Sequence, residues 1–600
     1  MVDTLINGLK RLEYRGYDSA GLASVTTEGQ IYLQKTVGRV AALEEASANH
    51  PINLYHAGIA HTRWATHGIP SEANAHPHLS FDGQICLVHN GIIENYQTLK
   101  HELQADGVVF KSETDTEIIS NLIAKYYSPE IDLKQAILQA LARLQGAYAV
   151  VVISNREPNR LIGAKQGSPL VCGIGLDEFI LASDVSAIIS KTKDVIYLED
   201  GELIDISNND YTISTFTNQT LQKKIEHVEW DQEAASKGGY DHFLLKEIME
   251  QPQAIRDTLR GRLIFEEGNI KLGGLIDVMD RLALMKRVIL LGIGTSYYAC
   301  KLGEMYFESI AKIPAKAEMT PEFRYNSNVI DSETLVIAVS QSGETADTIA
   351  AIQEAKRKGA LVLGVVNTVG STISRITDAG VYNHIGPEIA VASTKAFTSQ
   401  SLVLLMYAIL MGRQRQLSLS EGQSLIKAMQ ELPEQVQQIL DINPNITNLA
   451  DKYKDYHNLI YIGRKFSYPI ALEGALKIKE ISYIHAEGLS GGELKHGFIA
   501  LIDENTPTVA LVPQDSIYDK MFSAVEQVKA RSGKILAITT EGEQNLSAVA
   551  EDVIRIPSTA EEVQPLLNAV VLQLLAYHTS RLKGLDVDKP RNLAKSVTVE

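Results

Sequence analysis

Ser340-Gln341-Ser342-Gly343-Glu344-Thr345 packs hydroxyl, amide and glycine residues between an apolar run, TLVIAVS, and a helical pattern, ADTIAAIQEAKRKGA. A loop of this kind, leaving a strand and opening a helix, turns backbone N–H groups and the positive end of the helix dipole toward one point. Hydroxyls of Ser340, Ser342 and Thr345 add donors, and Gly343 permits close backbone approach. The chemistry is capture of a phosphomonoester; the alternative is a serine-rich helix cap without a ligand. Gly292-Ile293-Gly294-Thr295-Ser296 is a second strand-to-helix turn. It fails as a dinucleotide fingerprint, because Tyr297 stands where a third glycine belongs. Beside the first loop it can complete a phosphate or sugar cradle, with Val391-Ala392-Ser393-Thr394-Lys395 as a further wall or merely a helix start.

Acid–base chemistry is offered by EGALKIKEISYIHAEGLSGGELKHG. Glu473, Lys477 and Glu480 share one helical face, and Glu487, Glu493 and His496 follow in a glycine-rich loop. A carboxylate, an ammonium and an imidazole suit sugar ring opening and proton transfer. The same spacing also describes a solvated, salt-bridged helix; the uncharged stretch Ile481 to Ile484 argues for partial burial, and the two readings stay open. Lys595 lies near the C-terminus. A lysine that condenses with a carbonyl must be desolvated, and composition alone leaves this one as a solvated tail residue.

The N-terminal third carries another set of reactive types. In HTRWATHG, Arg63 can clamp an α-carboxylate in a fork. Asp115, in SETDTE, can pair with an α-ammonium. Asn90-Gly91, after the run ICLVH, offers a side-chain amide and a backbone N–H as an oxyanion hole. A zinc site from His61, His67, His76 and His78 competes weakly, since the spacing fits no common zinc pattern and no cysteine joins it. The pieces fit hydrolysis of an amino-acid side-chain amide. Cys86, Cys172 and Cys300 are far apart and odd in number; reduced thiols in a cytoplasmic protein are expected, with Cys86 in a strand core.

These residues need elements to hold them. At 600 residues the chain is too long for one core, and about three domains are expected. Short β runs between polar loops over the first two hundred or so positions predict an α+β domain rich in antiparallel sheet. From about residue 278 the continuous apolar runs RVILLGIG, TLVIAVS and LVLGVVN, separated by helical segments, predict doubly wound parallel sheets. The pattern recurs: LIYIGRKFSYPIALEGALKIKEIS parallels ILLGIGTSYYACKLGEMYFESIA, so two copies of one α/β domain are expected. Asp515 stands where the first copy has its Ser/Thr loop, so only the first copy should hold phosphate. The 73 acidic and 56 basic side chains give a net charge of -17, which opposes nucleic acid or an anionic membrane as partner. No apolar run is read as transmembrane, and no metal or cofactor is implied.

Taken together, GTSY, SQSGETADT, ASTKAFT, EGALKIKEISYIHAE, GELKHG and DKPRNLAKSVTVE resemble tandem sugar isomerase domains of the isomerizing glutamine–fructose-6-phosphate aminotransferases, the glucosamine-6-phosphate synthase family. RLEYRGYDSAG, HTRWATHG, NAHPH, VHNGIIEN and SETDTE resemble its class II glutamine amidotransferase domain, of N-terminal-nucleophile, αββα-like type. The resemblance implies an amidotransferase domain at 1–208, a linker with docking helices at 209–277, sugar isomerase domains at 278–417 and 450–590, and a catalytic tail at 591–600. It implies that Ser340, Gln341, Ser342 and Thr345 bind phosphate and that Ser296 and Ser393 contact the sugar. Glu480 would move a proton between C1 and C2 with help from Lys477, His496 of a neighbouring subunit would open the ring, and Lys595 would form a Schiff base. Arg63, Thr66, His67 and Asp115 would hold glutamine, Asn90 and Gly91 would form the oxyanion hole, and Trp64 would gate ammonia. The activity implied is synthesis of glucosamine 6-phosphate and glutamate from fructose 6-phosphate and glutamine, the first step of the hexosamine pathway, by a cytoplasmic homodimer. Phe498 departs from the family pattern beside His496. The family's nucleophile is an N-terminal cysteine, whereas residue 1 here is Met and an amphipathic helix follows at once. The expectation is a truncated or mis-assigned start, with a Cys-Gly-Ile-Val-like segment upstream; the chain as written would then use ammonia and not glutamine. The competing activities are an ammonia-dependent sugar-phosphate isomerase or deaminase, and a non-catalytic sugar-phosphate sensor.

Overall fold

The computed structural model describes residues 1–13, 16, 18–48, 55–64, 68–176, 178–207, 210–228 and 237–596. Two compact units divide the chain, Met1–Gln232 and Glu233–Lys595.

The N-terminal unit is a four-layer αββα sandwich. A three-stranded antiparallel sheet orders its strands Ile31–Val37, Ser19–Thr26, Tyr55–Arg63. A seven-stranded antiparallel sheet runs from Thr220–Leu221 to His78–Leu79, with Gly146–Ser154 and Ile85–Ile93 adjacent near one end. Strand alternation builds the layers. Ala20 and Leu22 face the helices Val2–Leu12 and Val40–Ser47. Ala23 and Val25 face the second sheet, where they meet Cys86 and Ile153. Ile85, Leu87, Val150 and Val152 face the helices Thr116–Tyr126 and Leu133–Leu141. Cys86 is therefore an inter-sheet core residue, as its place in an apolar run suggested.

The segment 209–277, expected as linker and docking helices, is only partly that. Asp210–Thr215 and Thr220–Leu221 extend the seven-stranded sheet, and Glu226–His227 edges a four-stranded sheet. Strands at or next to a sheet edge keep exposed, polar positions, which hid them. The helices Phe243–Met249 and Gln251–Leu259 do follow.

The C-terminal unit contains two five-stranded parallel sheets of identical topology. The first orders Ala315–Met319, Arg287–Gly292, Thr334–Ser340, Leu361–Val366, Ala379–Tyr382; the second orders His485–Ser490, Asn458–Gly463, Thr508–Leu511, Ile535–Thr540, Asp552–Ile556. The internal repeat read from sequence is thus a repeat of strand order. Both faces are covered: Leu335, Ile337 and Val339 enter the core shared by the two copies, while Val336 and Ala338 pack on the opposite side. Burial on both faces is why the runs are continuously apolar and not alternating. Glu487 lies within the edge strand His485–Ser490 and not in a loop. The helix Lys395–Arg413 is long and apolar enough to cross a membrane, a property the reading from sequence missed, but it is wholly enclosed in the unit's core.

Candidate active site

In the first sheet, Ser340 ends a fully buried strand and the helix Ala346–Arg357 begins six residues later. The loop between them is shaped from within. Ser340 Oγ accepts from the Gly343 N–H at 3.0 Å, and Ser342 Oγ accepts from the Glu344 N–H at 3.2 Å. Gly343 has φ of +69°, and a Cβ there would lie 2.1 Å from Ser371 Oγ, so glycine is required on both conformational and steric grounds. Glu344 turns away to accept from the Thr372 N–H and hydroxyl, each at 2.8 Å. Thr345 caps the helix without a side-chain hydrogen bond to it. The helix N-terminus is thereby left to an outside acceptor, flanked by half-buried Gln341, Ser342 and Thr345. Ser296, half-buried, lies in the first turn of Thr295–Tyr306.

The Glu/Lys face of Ser467–Ser482 is not a surface helix. The Lys477 side chain is 2% exposed; its Nζ donates to Glu480 at 2.6 Å and to Thr295 Oγ1 at 2.8 Å, and lies 3.5 Å from Glu473. Thr295 also donates to Glu473 Oε1 at 3.2 Å, tying the first helix of one copy to the first helix of the other. Burial pushes the Glu473 carboxyl up to about 8 against the pull of Lys477. Burial alone would lower Lys477, but the Glu473 and Glu480 carboxyls hold it above the ordinary lysine range. Two carboxyls share one cation, and the more buried of them keeps its proton at neutral pH.

The tail lysine is the largest departure from what composition suggests. The Lys595 side chain is 2% exposed, and its Nζ donates to Glu388 Oε2 at 2.5 Å and to Ser393 Oγ at 3.0 Å. Glu388 Oε1 in turn accepts from the Thr394 and Ala396 N–H groups at the start of Lys395–Arg413. Burial works to raise the Glu388 carboxyl, yet Lys595 and these N–H groups bring it below the usual range. The tail is pinned on the way in. Asp588 accepts from the Phe243 and Leu244 N–H groups, the Asp588 carbonyl accepts from Val391, and the Arg591 N–H donates to the Tyr483 hydroxyl, whose ring its guanidinium covers at 4.2 Å.

Ser393 and Lys595 are thus brought together, as are Lys477 and Glu480. His496 is not brought to either pair: it is exposed in a turn, its N–H donating to the Glu493 carbonyl. Sequence reasoning missed Thr295 and Glu388. The signal for Glu388 was a lone carboxylate in an otherwise uncharged run, IGPEIAVAS, five positions ahead of Ser393.

In the N-terminal unit, Arg63 ends its strand buried, with Nη2 donating to the Gly68 carbonyl at 3.2 Å. Burial lowers its guanidinium, opposed by the carboxylates of Asp18, Asp115 and Glu113. Asp115, also buried, accepts from the Ile93 N–H at 2.9 Å. His61 is pushed down to about 4 by burial and so is neutral; its Nε2–H donates to Asn90 Oδ1 at 2.8 Å. That bond commits the amide oxygen and not the Asn90 NH2. Gly91 has φ of +134°, and a Cβ there would meet the Ala147 carbonyl at 2.0 Å. Of the suggested zinc histidines, the three that are described lie together as ring contacts: His61 on His76 at 4.2 Å, and His76 edge-on to His78 at 4.9 Å. Their nitrogens go to Asn90, Thr116 and Thr114, and among the described residues no metal-ligating group forms. Trp64 is half-buried directly after the strand. Thr66 and His67 lie outside the described residues.

A family model described as SIS domain matches residues 281–410 and 452–582, and one described as glutamine amidotransferase domain matches 61–190. The glutamine–fructose-6-phosphate aminotransferase [isomerizing] of Chlorobaculum tepidum is 48% identical, covering 99% of this chain and 97% of its own. That of a Thermus thermophilus strain is 46% identical, covering 100% and 98%. The chain belongs to the isomerizing glutamine–fructose-6-phosphate aminotransferase family. Within solved structures, the C-terminal domain of the Francisella tularensis glucosamine-fructose-6-phosphate aminotransferase aligns with TM-score 0.56 and 35% identity over 59% of this chain and all of that one. The Escherichia coli tagatose-6-phosphate ketose/aldose isomerase, at TM-score 0.50 and 18% identity over 60% of this chain and 97% of its own, shares the fold. In this aminotransferase the tandem α/β copies and the tail enclose two buried lysine–carboxylate clusters.

Proposed function

We propose that this aminotransferase converts fructose 6-phosphate to glucosamine 6-phosphate at the two lysine clusters, with nitrogen supplied by glutamine bound in the N-terminal unit. The phosphate sits on the Ser340, Gln341, Ser342 and Thr345 loop at the helix N-terminus, and Ser296 and Ser393 hold sugar hydroxyls. Lys595 Nζ adds to the C2 carbonyl of the open-chain ketose. The ammonium first gives a proton to Glu388, and water leaves as the C=N bond forms. Ammonia then replaces the lysine at C2. Glu480, held by Lys477, carries a proton from C1 to C2, which moves the double bond and yields the aldose. His496 of the partner subunit opens the ring, a role its exposed position favours and one that makes the homodimer the working form. In the N-terminal unit Arg63 and Asp115, with Thr66 and His67, grip the two charged ends of glutamine. Asn90 and Gly91 face its side-chain carbonyl, and Trp64 guards the ammonia exit. Cys86, Cys172 and Cys300 play no part: all are buried, and burial pushes the Cys86 and Cys172 thiols up to about 12. A cytoplasmic setting fits these unpaired thiols.

The observation that carries the reading is the burial of Lys595 against Glu388 and Ser393, four-carbon stem included, in a tail that could have been solvated. Borohydride added during turnover with fructose 6-phosphate and ammonia should reduce a C=N bond to a stable sugar adduct on Lys595, located by peptide mass. Lys595→Ala should give neither adduct nor product. Ammonia-driven synthesis by Lys595→Ala at the unmodified rate would remove the Schiff base from the scheme.

A further inference from the structure

Behind the Lys595–Glu388 pair lies a carboxyl that the reaction just described does not use. Glu247 is on the helix Phe243–Met249, 2% exposed. Its Oε1 accepts from the Ile389 N–H at 2.5 Å and from the Ala390 N–H at 3.1 Å. Those are the two residues that follow Glu388 in the chain. Its Oε2 is buried and has no hydrogen-bond partner. The helix itself is fixed by the tail, since Asp588 accepts from the N–H groups of Phe243 and Leu244. The connection runs from tail to helix, from helix through Glu247 to the 389–390 backbone, and from there through Glu388 back to Lys595.

A bare carboxylate oxygen in such a place would carry a large desolvation cost, so a protonated carboxyl is the form the site accommodates. A neutral carboxyl still accepts two N–H groups through its carbonyl oxygen. We infer that Glu247 is a positioning residue that, as a neutral acid, holds the 389–390 backbone so that the Glu388 carboxylate meets Lys595. The charged groups around it come from several elements: Glu388, Lys595 and Asp588, then Lys395 from Lys395–Arg413, and Lys246 and Glu250 from its own helix. Lys395 and Lys246 are both engaged by Glu250, which leaves Glu388 and Lys595 as the pair that responds to the state of Glu247. In keeping with this, burial and then Glu388 push the Glu247 carboxyl up to about 8.

The inference rests on the Schiff-base reading, and the experiment separates the two. Fructose 6-phosphate and ammonia are given to the full chain, and both the rate of borohydride trapping at Lys595 and steady-state synthesis are followed. Absence of any adduct in the unmodified chain would defeat the Schiff base itself. If the adduct forms, Glu247→Met, which keeps the bulk but accepts no hydrogen bond, should lower trapping and kcat by about tenfold or more with KM changed less than about threefold. Glu247→Gln, which keeps the acceptor and has no charge to gain, should stay within about threefold of the unmodified chain. Full trapping by Glu247→Met, or a Glu247→Gln loss as deep as that of Glu247→Met, would overturn the inference. The pH profile decides independently of whether Glu247→Met folds. As Glu247 ionises above about pH 8, a second negative charge appears beside the Lys595–Glu388 pair and the backbone it holds, and trapping should level off. Glu247→Gln should go on rising there; identical alkaline limbs would overturn the inference.

Discussion

Replacing Lys477 with methionine removes a cation while keeping its unbranched stem, which isolates the electrostatic part of the cluster. Lys477 Nζ makes charge-assisted bonds of 2.6 Å to Glu480 and 2.8 Å to Thr295, each worth about 1.5–3 kcal/mol when a partner is left behind. Against that loss stands relief from burying an ammonium, which is several kcal/mol in the interior. The outcome turns on what remains. Glu473, raised to about 8, is already protonated at pH 7 and gains no new charge to bury. Glu480 is 21% exposed, so it recovers part of its hydration once the ammonium is gone. The net cost should therefore fall below the ~3–5 kcal/mol typical of breaking a buried pair, at about 2–3 kcal/mol. A second change, Glu480→Gln in the Lys477→Met background, should return about 1 kcal/mol or more by removing the stranded charge. Glu473→Gln alone should cost under about 1 kcal/mol, since it replaces one neutral group by another. Both tryptophans, Trp64 and Trp230, precede Glu233, so fluorescence reports the wrong unit. A chain of two units also has no single unfolding free energy. Amide hydrogen exchange along Ser467–Ser482 is the suitable measure. Lys477→Met protection equal to that of the unmodified chain, or no recovery in the double variant, would refute this assignment of charge.

Three further outcomes follow from the same geometry. Gly343→Ala must accommodate φ of +69° and a Cβ 2.1 Å from Ser371 Oγ; at about 1–2 kcal/mol for the left-handed backbone alone, calorimetry should show sugar-phosphate affinity down by about tenfold or more, and unchanged affinity would mean that the loop does not hold the phosphate. Arg63→Lys keeps the charge but not the fork, so glutamine affinity by calorimetry should fall by about tenfold, whereas Lys in place of Arg with full affinity would move the α-carboxylate site elsewhere. The stability of the C-terminal unit should fall as pH rises from about 7 to about 8 and level off above: Glu247 and Glu473, both raised by burial to about 8, hold protons that the unfolded chain releases near the ordinary carboxylate value of about 4.3, so the loss runs from there up to about 8 and this window is its upper end. His578, lowered to about 4 by burial, acts in the opposite sense, but its effect is complete once the pH exceeds its unfolded value near 6.5. Hydrogen exchange corrected for intrinsic rate gives the sign directly, and rising stability over this window would contradict the protonated state of both carboxyls.

The parts of the fold legible in the sequence are those in which burial writes a local pattern. RVILLGIG and TLVIAVS read as two-faced buried strands because residues of both parities meet a core: Val288, Leu290, Leu335 and Ile337 on one side, Ile289, Leu291, Val336 and Ala338 on the other. The repeat was legible because the same strand-turn-helix grammar recurs with the same spacing. What failed did so for a physical reason: Asp210–Thr215 and Glu226–His227 lie at sheet margins, the first partly and the second fully exposed, and a polar composition there is indistinguishable from that of a linker. The strand-to-helix loop at 340–345 was legible as a loop because its parts are consecutive. The lysine sites were not, because their decisive contacts are remote: Lys595 and Glu388 are 207 positions apart, Lys477 and Thr295 are 182. No spacing rule reaches that far, so the face of Ser467–Ser482 could be read equally as solvated and the tail lysine as ordinary.

The two lysine clusters share a design that neither motif suggests by itself. Lys595 has an ionised partner, Glu388, within hydrogen-bond reach and a second carboxyl, Glu247, raised to about 8. Lys477 has Glu480 within reach and a second carboxyl, Glu473, also raised to about 8. A buried lysine facing two ionised carboxylates would carry a net negative charge at high cost, and one facing none would lose its proton. One ionised and one protonated carboxyl leaves each cluster neutral overall. Within a neutral cluster a proton can pass from lysine to its partner with no change in buried net charge, which is the step an amine must make before it attacks a carbonyl. The protonated carboxyl behind then sets how easily that transfer occurs, because its own ionisation would pull the proton back onto the lysine. Each lysine thus has one carboxyl within hydrogen-bond reach and a second whose proton burial retains, an arrangement that suits the proposed proton transfers and is built once by the first helix of the second repeat and once by the tail.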